Sequence, residues 1–513
     1  MQNFLSVAME KEKNETSVAI IIPQVVVHGM DPHTGIPFMP HTAAYSAAIL
    51  KKDGISTQIL DSFGIDCSKR EVLGKFMLMG ISSSEIAKRL MKTIKTCVIY
   101  CRTVAEFIAI EKLLLEIKNL NRGIRTCLIE NAQAVTAFSL RSIAGELHKK
   151  GADIIIFGEP ENRISEVVYR ILNEKRIVDI PDVSEKGNDN FIMQSEKGAE
   201  SINPDMLPFP SWEDFQLSGY WDSGFAHGPC SSKRFLPILT SRGCPFKCKF
   251  CIAPRMNPKW RGRSPSNVVE EMKYFSEKLG VREFHISDLN PTVNKDRIIN
   301  ISKIIIRDGL DFSWKLAQGT KIETIDEETV RIMAKAGCRY ISFSPETGSP
   351  ELLKKIGKRF DYEYAIRILN VMSNEKIYTQ ACFIAGLPGE SSEDRKKSIK
   401  YMERLVDNGL DEIAVFGFAP IPGAELEGSI SDFENYSQCT FNPSWRKDAK
   451  EVLAYRRRLY VRFFLRKLRF PDKIIRETYG FFSKKFETKM EMALYKIIKL
   501  YILRFAPGLF NYY

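Results

Sequence analysis

The stretch SRGCPFKCKFCIAPRMNPKWRGRSP, residues 241–265, places Cys244, Cys248 and Cys251 within eight positions. Their spacing is C-x3-C-x2-C, and they follow the apolar run FLPILT at residues 235–240. A short apolar run bounded by polar residues and glycine is typical of a buried strand. The three cysteines are therefore predicted to lie in the loop after a strand.

Three kinds of cysteine site were compared for this loop. Structural thiols belong in a core, whereas this loop is rich in lysine and flanked by Gly243 and Pro245. A zinc site needs a fourth ligand, and no His or Cys follows closely in the loop. An iron–sulfur cluster held by three thiolates leaves one iron open for a substrate or cofactor. The iron–sulfur site is favoured, and the other two remain as alternatives.

Strand and helix patterns alternate after the cysteines. The apolar runs are EFHISD, FSWKLAQG, CRYISFSPE, YTQACFIAG and EIAVFGFAP, and helical patterns such as DEETVRIMAKAG separate them. Counting FLPILT, residues 235–444 form six βα units, which predicts a partial (β/α)6 barrel rather than the closed eight-fold form. In such barrels the catalytic residues follow the carboxyl ends of strands, which is where the cysteines lie.

The pattern C-x3-C-x-aromatic-C, with Phe250 before the last cysteine, resembles the signature of radical S-adenosylmethionine (radical SAM) enzymes. The resemblance implies that Cys244, Cys248 and Cys251 hold a [4Fe–4S] cluster, with Phe250 beside the cofactor. It also implies that the open iron binds S-adenosylmethionine, and that one electron cleaves this cofactor to a 5′-deoxyadenosyl radical. Such chemistry needs a site from which water is excluded.

Further segments match this family in order, over roughly residues 235–428. By resemblance, HISDLNPT places Asp288 near the methionine amino group, and YISFSPETGS places Glu346 near the cofactor. The segment ACFIAGLPGE places Gly386 against the adenine, and APIPGAEL matches the exit of the sixth strand. Each segment alone is an ordinary strand-to-helix turn, so the family assignment depends on their order together with the cysteines.

Residues 1–172 also alternate between strand and helix patterns. The runs VAIIIPQ, STQILDS, TCVIYC, RTCLIE and ADIIIFG read as buried strands, which predicts a doubly wound, Rossmann-like parallel sheet. Ligands of such sheets bind beyond the carboxyl ends of the strands. Here that edge carries Gln24, Asp61, Cys101 and Glu130.

A sheet of this type directly before a radical SAM barrel resembles the cobalamin-binding subfamily. The ligand motif D-x-H-x-x-G is absent: DPHTG at residues 31–35 is one residue short, so His33 is predicted to be a loop residue. Where cobalamin sheets carry small residues for the nucleotide tail, this chain has Arg102, Glu130 and Asn131. Cobalamin binding is favoured, and a sheet that has lost the cofactor is the alternative.

Residues 173–234 lose periodicity and are predicted to be a connector, and residues 445–513 a basic helical cap. This last segment has 18 Lys and Arg against six Asp and Glu, so it carries the whole net charge of +12. Sixteen aromatic residues lie among these charges. A solvated cap is the first interpretation, peripheral membrane contact the second, and nucleic acid the least favoured.

The chain has no apolar stretch of membrane-spanning length and no signal peptide, which predicts a cytoplasmic protein with reduced thiols. The expected activity is methylation of an unactivated carbon by a cobalamin-dependent radical SAM enzyme. The substrate would be a small or lipid-like molecule, and the electron donor a flavodoxin or ferredoxin. A radical cyclase, oxidase or rearrangement enzyme is the first alternative, and an RNA-binding modification protein the second.

Overall fold

The structure is a computed structural model of the 513-residue chain. It describes residues 16–28, 34–133, 138–177, 179–187, 192–194, 200–224, 226–430 and 432–505. The chain divides into two compact units: the first comprises residues 1–26, 40–132 and 137–219, and the second comprises residues 27–39, 133–136 and 220–513.

The N-terminal part of the chain contains short strands separated by helices. The strands are β1 (Val18–Ile22), β2 (Val25–His28), β3 (Thr57–Asp61), β4 (Arg70–Leu73), β5 (Phe76–Met79), β6 (Thr96–Cys101), β7 (Arg125–Glu130), β8 (Ile154–Ile156), β9 (Val183–Lys186) and β10 (Ile192–Gln194). The helices are α1 (His41–Lys52), α2 (Ser62–Ile65), α3 (Ser83–Arg89), α4 (Phe107–Leu120), α5 (Ala144–Lys149) and α6 (Ile164–Leu172).

The main sheet of the first unit has the strand order β10-β9-β8-β7-β6-β1-β3. Strands β3, β1, β6, β7 and β8 are parallel, so the chain order reverses between β1 and β6. In doubly wound sheets this switch point opens the crevice that binds ligands. Every residue of β1, β6 and β8 is buried, as expected for a parallel sheet that is covered on both faces.

Part of the segment that the sequence assigns to a connector extends this sheet. Strand β9 pairs with β8 in the antiparallel direction, and β10 pairs with β9 in the same way. Only two residues of β9, Val183 and Ser184, are buried. The weak apolar pattern of these edge strands explains why sequence periodicity does not reveal them.

The second unit contains the remaining regular elements. The strands are β11 (Phe235–Ile238), β12 (Ser241–Arg242), β13 (Arg261–Gly262), β14 (Glu283–Ile286), β15 (Ser313–Thr320), β16 (Cys338–Glu346), β17 (Tyr378–Ala385) and β18 (Glu412–Gly417). The helices are α7 (Ser218–Asp222), which begins at the unit boundary, α8 (Ala253–Met256), α9 (Pro265–Leu279), α10 (Lys295–Arg307), α11 (Glu327–Lys335), α12 (Pro350–Lys355), α13 (Tyr362–Asn374), α14 (Ser392–Asp407), α15 (Ala449–Lys467), α16 (Pro471–Ser483) and α17 (Lys489–Phe505).

The sheet of the second unit has the order β11-β14-β15-β16-β17-β18, with all neighbouring strands parallel. Sequential order with intervening helices is the arrangement that a partial (β/α)6 barrel requires. The helices that follow its strands begin at side-chain caps that accept a backbone N–H, namely Ser264, Asn294, Asp326, Ser349, Asp361 and Ser391. The predicted α/β fold with parallel sheets is confirmed.

A buried ion cluster lies where β14 and β15 begin. Lys315 Nζ is 3.2 Å from Glu283 Oε1, and His285 Nε2 is 2.8 Å from the same oxygen. Burial alone would raise the pKa of Glu283, but Lys315, His285 and Ser231 hold it at about 2. The ligand atoms of Cys230, Glu283 and His285 lie within 4.8 Å of one another. Because the Lys315 ammonium already supplies the positive charge, we interpret this cluster as structural.

Candidate functional site

The cysteine loop begins at a glycine that no other residue can replace without strain. Gly243 has a φ of +79°, and a Cβ built on it would lie 2.2 Å from the carbonyl oxygen of Lys259. Strands β12 and β13 pair Ser241 with Gly262 on the same side of the loop. The next residue, Cys244, donates its N–H to the carbonyl of Asn257 at 3.0 Å. The segment around residues 257–259 therefore packs closely against the backbone at the first cysteine.

The end of helix α12 fixes the other side of the loop. Lys249 donates its N–H to the carbonyl of Ile356 at 3.0 Å, and its own carbonyl accepts from Leu426 at 3.2 Å. Gly357 has a φ of +68°, and a Cβ there would lie 2.9 Å from the carbonyl oxygen of Lys247. Backbone contacts on both sides thus help to position the three cysteines.

The three thiols are partly exposed, and their charges influence one another. Burial raises the pKa of Cys244 and Cys248, and it raises the pKa of Cys251 to about 12. Nearby Lys358 opposes this effect at Cys244 and Cys248. Thiols in such surroundings become thiolates when a metal supplies positive charge. Three sulfur ligands from one loop could therefore hold an iron–sulfur cluster.

Glu346 lies at the end of β16 in an uncommon backbone conformation. Its φ is +63°, a backbone conformation that residues other than glycine rarely adopt. Such strained residues are concentrated at functional sites. Lys358 Nζ lies 2.7 Å from Glu346 Oε1 and 2.6 Å from the carbonyl oxygen of Ser344. Burial raises the pKa of Glu346, while Lys358 opposes this effect.

Lys358 links two residues that the sequence assigned to the site. Burial lowers the pKa of Lys358, but the negative charges of Glu346 and Cys248 hold it above its ordinary value. The structure therefore brings Glu346 close to the cysteine loop through a lysine that sequence reasoning missed. A signal for Lys358 was present in the segment GKRF, because a glycine just after a helical pattern indicates a turn of the chain. In the structure this glycine, Gly357, follows α12 and lies against the Lys247 carbonyl, next to Cys248.

Asp288 is fully buried, and both of its carboxylate oxygens accept hydrogen bonds from the strand before the cysteines. Thr240 donates its N–H at 2.7 Å and its hydroxyl at 2.6 Å, and the Ser241 hydroxyl also donates. Burial raises the pKa of Asp288, which Arg297 and the hydroxyl donors oppose. In this structure Asp288 holds the residues directly before the cysteine loop through these hydrogen bonds. Its contact with the methionine amino group stays a prediction.

Gly386 follows β17 with a φ of +78°. Its carbonyl accepts from Arg446 Nη1 at 2.9 Å, and a Cβ built on it would lie 2.9 Å from that nitrogen. The sequence did not single out Arg446, whose segment reads only as the start of the basic cap. Phe250 packs against the buried cluster of Leu352, Leu353, Ile356, Leu387 and Phe418, in which Leu387 directly follows Gly386 in the chain.

The carboxyl edge of the first unit's sheet carries buried polar side chains near the switch point. Arg102 and Glu106 form a buried ion pair, and Asn131 Nδ2 donates to the carbonyl of Arg102 at 3.4 Å. The carboxylate of Glu130 accepts the N–H groups of Leu140 and Gly158, and burial raises its pKa to about 7. The side chains of Arg102 and Glu130 therefore occupy this edge of the sheet, and each already has a partner there.

Two buried acceptors at the same edge have no hydrogen-bond partner among the described residues: Gln24 Oε1, which follows β1, and Glu106 Oε2, which follows β6. Unsatisfied buried oxygens are costly, so they indicate that a donor arrives from elsewhere. A cofactor rich in amide N–H groups, such as a corrinoid with amide side chains, fits these acceptors. Among the histidines near the predicted loop, His33 lies outside the described residues. His28 Nδ1 lies 3.5 Å from Thr440 Oγ1.

The sequence model of the Radical SAM superfamily matches residues 238–402. An uncharacterized methyltransferase of Pyrococcus horikoshii is 29% identical over 353 residues, or 65% of this chain and 72% of that protein. Cytidylyl-2-hydroxyethylphosphonate methyltransferase of Streptomyces wedmorensis is 30% identical over 231 residues, or 43% of this chain and 42% of that protein. The chain therefore spans less than half of this second relative.

Two solved structures share the fold across both units. The radical S-adenosylmethionine methyltransferase TsrM of Kitasatospora setae, with cobalamin and a [4Fe–4S] cluster bound, aligns with a TM-score of 0.63 at 16% identity over 81% of this chain and 75% of that chain. The cobalamin-dependent radical enzyme OxsB aligns with a TM-score of 0.60 at 16% identity over 88% of this chain and 57% of that chain. No described helix is both long and apolar enough to cross a bilayer.

Proposed function

Because the chain belongs to the radical SAM superfamily, we propose that it is a cobalamin-dependent radical SAM methyltransferase that methylates an unactivated carbon. The observation that carries the proposal is the loop of Cys244, Cys248 and Cys251, which follows the first strand of a sequential parallel sheet. The doubly wound sheet that precedes it has a switch point in its strand order and two buried acceptors without a partner among the described residues, which support a second cofactor there.

Cys244, Cys248 and Cys251 would hold a [4Fe–4S] cluster. When bound, this cluster supplies the electron that cleaves S-adenosylmethionine, which binds at its open iron. Glu346 would accept hydrogen bonds from the cofactor, while Lys358 holds this carboxylate in place. Phe250 and Gly386 would border the adenine, with Arg446 fixing the backbone at Gly386.

Gln24 and Glu106 would accept amide N–H groups of cobalamin at the carboxyl edge of the first sheet. When bound, cobalamin supplies a methyl group to the substrate carbon. We propose that it binds without a histidine ligand to cobalt, because the chain has no D-x-H-x-x-G motif. Arg102 and Glu130 leave little room for a nucleotide tail between the strands, because their side chains already have partners there.

The substrate is proposed to be a small or lipid-like molecule, and a flavodoxin or ferredoxin to be the electron donor. Some relatives bear names of small-molecule enzymes, including bacteriochlorophyllide d C-12(1)-methyltransferase of Chlorobaculum tepidum, which is 25% identical over 226 residues, whereas others bear the name of a tRNA-modifying synthase. A radical cyclase is the second candidate. It is favoured by the anaerobic magnesium-protoporphyrin IX monomethyl ester cyclase of Rubrivivax gelatinosus, 27% identical over 264 residues.

The first experiment tests the cluster. The variant with Cys244, Cys248 and Cys251 changed to Ala is reconstituted anaerobically beside a control with Cys338 and Cys382 changed to Ala, two buried thiols on β16 and β17. We expect the control to retain four irons and to cleave S-adenosylmethionine, and the triple variant to lose both properties. Cleavage by the triple variant would overturn the cluster assignment.

The second experiment tests cobalamin and the fate of its methyl group. We expect anaerobically purified protein to bind hydroxocobalamin, with a spectrum that is unchanged in His28→Ala, His33→Ala and His41→Ala. With S-adenosylmethionine that carries a deuterated methyl group, the product should contain that label. An unlabelled, oxidised product would favour the cyclase, and exclusion of cobalamin would refute the methyltransferase proposal.

A further inference from the structure

Helix α15 is apolar on two opposite sides. Its inner side is buried and contains Val452, Tyr455, Leu459 and Phe463. Its outer side exposes Val461, Phe464, Leu465 and Leu468, which are between 50% and 64% exposed. Positions three and four residues apart lie on one side of a helix, so these four side chains form a single exposed stripe.

Helix α16 repeats the pattern. Ile475, Tyr479 and Phe482 are between 69% and 76% exposed, and their spacing also places them on one side of the helix. Scattered exposed apolar residues are normal, but seven within 22 positions on two consecutive helices indicate an interaction surface. We call the exposed apolar side chains of α15 and α16, from Val461 to Phe482, the apolar face.

The cations near the apolar face fall into two groups. Arg462 pairs with Glu403, and Arg466 pairs with Asp407, both acids of helix α14. By contrast, Arg457 and Arg458 are exposed and form no ion pair within the part of the chain that the structure describes. They precede Val461 by about one turn on the exposed side of α15. Lys484 and Lys485, just after α16, are exposed and likewise unpaired within the described ranges.

We propose that the apolar face docks on the surface of a bilayer that contains anionic lipids. An interfacial helix places Phe, Leu, Ile and Tyr among the acyl chains, while cations beside them reach the phosphates. Arg457, Arg458, Lys484 and Lys485 flank the apolar side chains in this way. A second copy of the chain would present a face of the same positive charge, which charge repulsion opposes, whereas an anionic bilayer complements it. The proposal is independent of the chemistry in the barrel.

The test is co-sedimentation of the full-length, anaerobically purified protein with vesicles. Phosphatidylcholine vesicles are compared with vesicles that also contain phosphatidylglycerol, at about 0.05 M and about 0.5 M NaCl. The apolar variant is Phe464→Ser/Leu468→Ser/Phe482→Ser. Its control is Leu115→Ser/Leu120→Ser/Met206→Ser, which changes residues of the first unit that are between 52% and 74% exposed. The charge variant is Arg457→Gln/Arg458→Gln, and its control is Lys75→Gln/Arg122→Gln, exposed cations of the first unit.

We expect binding to the anionic vesicles that weakens with salt but keeps a salt-resistant fraction from the inserted side chains. The apolar variant should lower the partition coefficient at least about a hundredfold, and the charge variant up to about thirtyfold at low salt. Both controls should bind as the wild type does. Equal and negligible binding to both vesicle types would overturn the proposal. So would concentration-dependent dimerisation that the apolar variant abolishes in the absence of vesicle binding, or salt-sensitive retention on RNA alone.

Discussion

The role of Asp288 separates two interpretations of the site, and Asp288→Asn decides between them. The sequence predicts that this carboxylate contacts the cofactor. In the structure, both of its oxygens instead accept hydrogen bonds from Thr240 and Ser241, directly before the cysteine loop. Arg297 also donates to the carbonyl and the hydroxyl of Thr240, at 2.8 Å and 3.0 Å. Asparagine keeps one acceptor oxygen and replaces the other with an NH2 group, so the site loses its negative charge.

The cost follows from the lost charge, because the Thr240 and Ser241 hydroxyls can accept from the asparagine NH2 but then form only neutral hydrogen bonds. A hydrogen bond to a charged group is worth about 1 kcal/mol more than a neutral one, so the change of three bonds costs about 3 kcal/mol. For a domain of this size, 1 kcal/mol corresponds to about 2 to 4 °C, which gives a fall in Tm of about 6 to 12 °C for the second unit. The loosened cysteine loop should also hold less iron after reconstitution.

Differential scanning calorimetry of the apoprotein measures the change, with iron analysis of the reconstituted protein beside it. Ser287→Ala is the matched control, because its hydroxyl makes one long bond, at 3.3 Å, to the carbonyl of His285. The control should shift Tm by only about 2 °C, which corresponds to less than 1 kcal/mol. The reasoning is refuted if Asp288→Asn keeps the wild-type Tm and four irons but binds S-adenosylmethionine at least about tenfold more weakly, equivalent to 1.4 kcal/mol.

Three further outcomes are expected. The pKa of Glu283 is lowered from 4.5 to about 2 in the folded state, so its stabilisation of about 3 kcal/mol is complete above pH 4.5 and is lost as the pH falls towards 2. Calorimetry should show that the difference in unfolding free energy between wild type and Glu283→Gln narrows over that range, and a constant difference would contradict the reasoning. Gly243→Ala should lose bound iron because its Cβ would collide with the Lys259 carbonyl, whereas Gly309→Ala, which has a similar positive φ and open space around it, should retain iron. Arg102→Met should destabilise the first unit by about 3 to 5 kcal/mol, because Glu106 is left buried and unpaired, and adding Glu106→Leu should restore most of that loss in chemical denaturation.

Much of the fold could be predicted because buried parallel strands have a strong signature in the sequence. The runs around β1, β6 and β8 are continuously apolar, and all of their residues are buried. The six strands of the second unit's main sheet are also found where their apolar runs occur, from FLPILT to EIAVFGFAP. Strands β9 and β10 were missed, because this antiparallel extension of the sheet is only half buried at β9 and needs few apolar residues, and the short strands β2, β4 and β5 were missed as well.

Charge was the least reliable guide in the sequence. The basic segment 445–513 suggests a continuous cationic surface, but Arg456 and Lys467 are buried, and Arg462 and Arg466 are neutralised by acids of α14. Those acids lie 59 residues away in the chain, so no local pattern could pair them. Only folding leaves Arg457 and Arg458 as exposed, unpaired cations among the described residues of α15.

The sequence by itself determined the local features: the order of the parallel strands and their helices in the two main sheets, and the loop that presents Cys244, Cys248 and Cys251. Those features depend on spacing along the chain, because backbone geometry fixes which neighbouring residues share a face or a turn. Only the tertiary structure decided the partners of polar side chains, such as Lys358 for Glu346 and Thr240 for Asp288. Such pairs join residues from different elements, and a buried charge is stabilised by whichever group the fold brings within hydrogen-bonding distance.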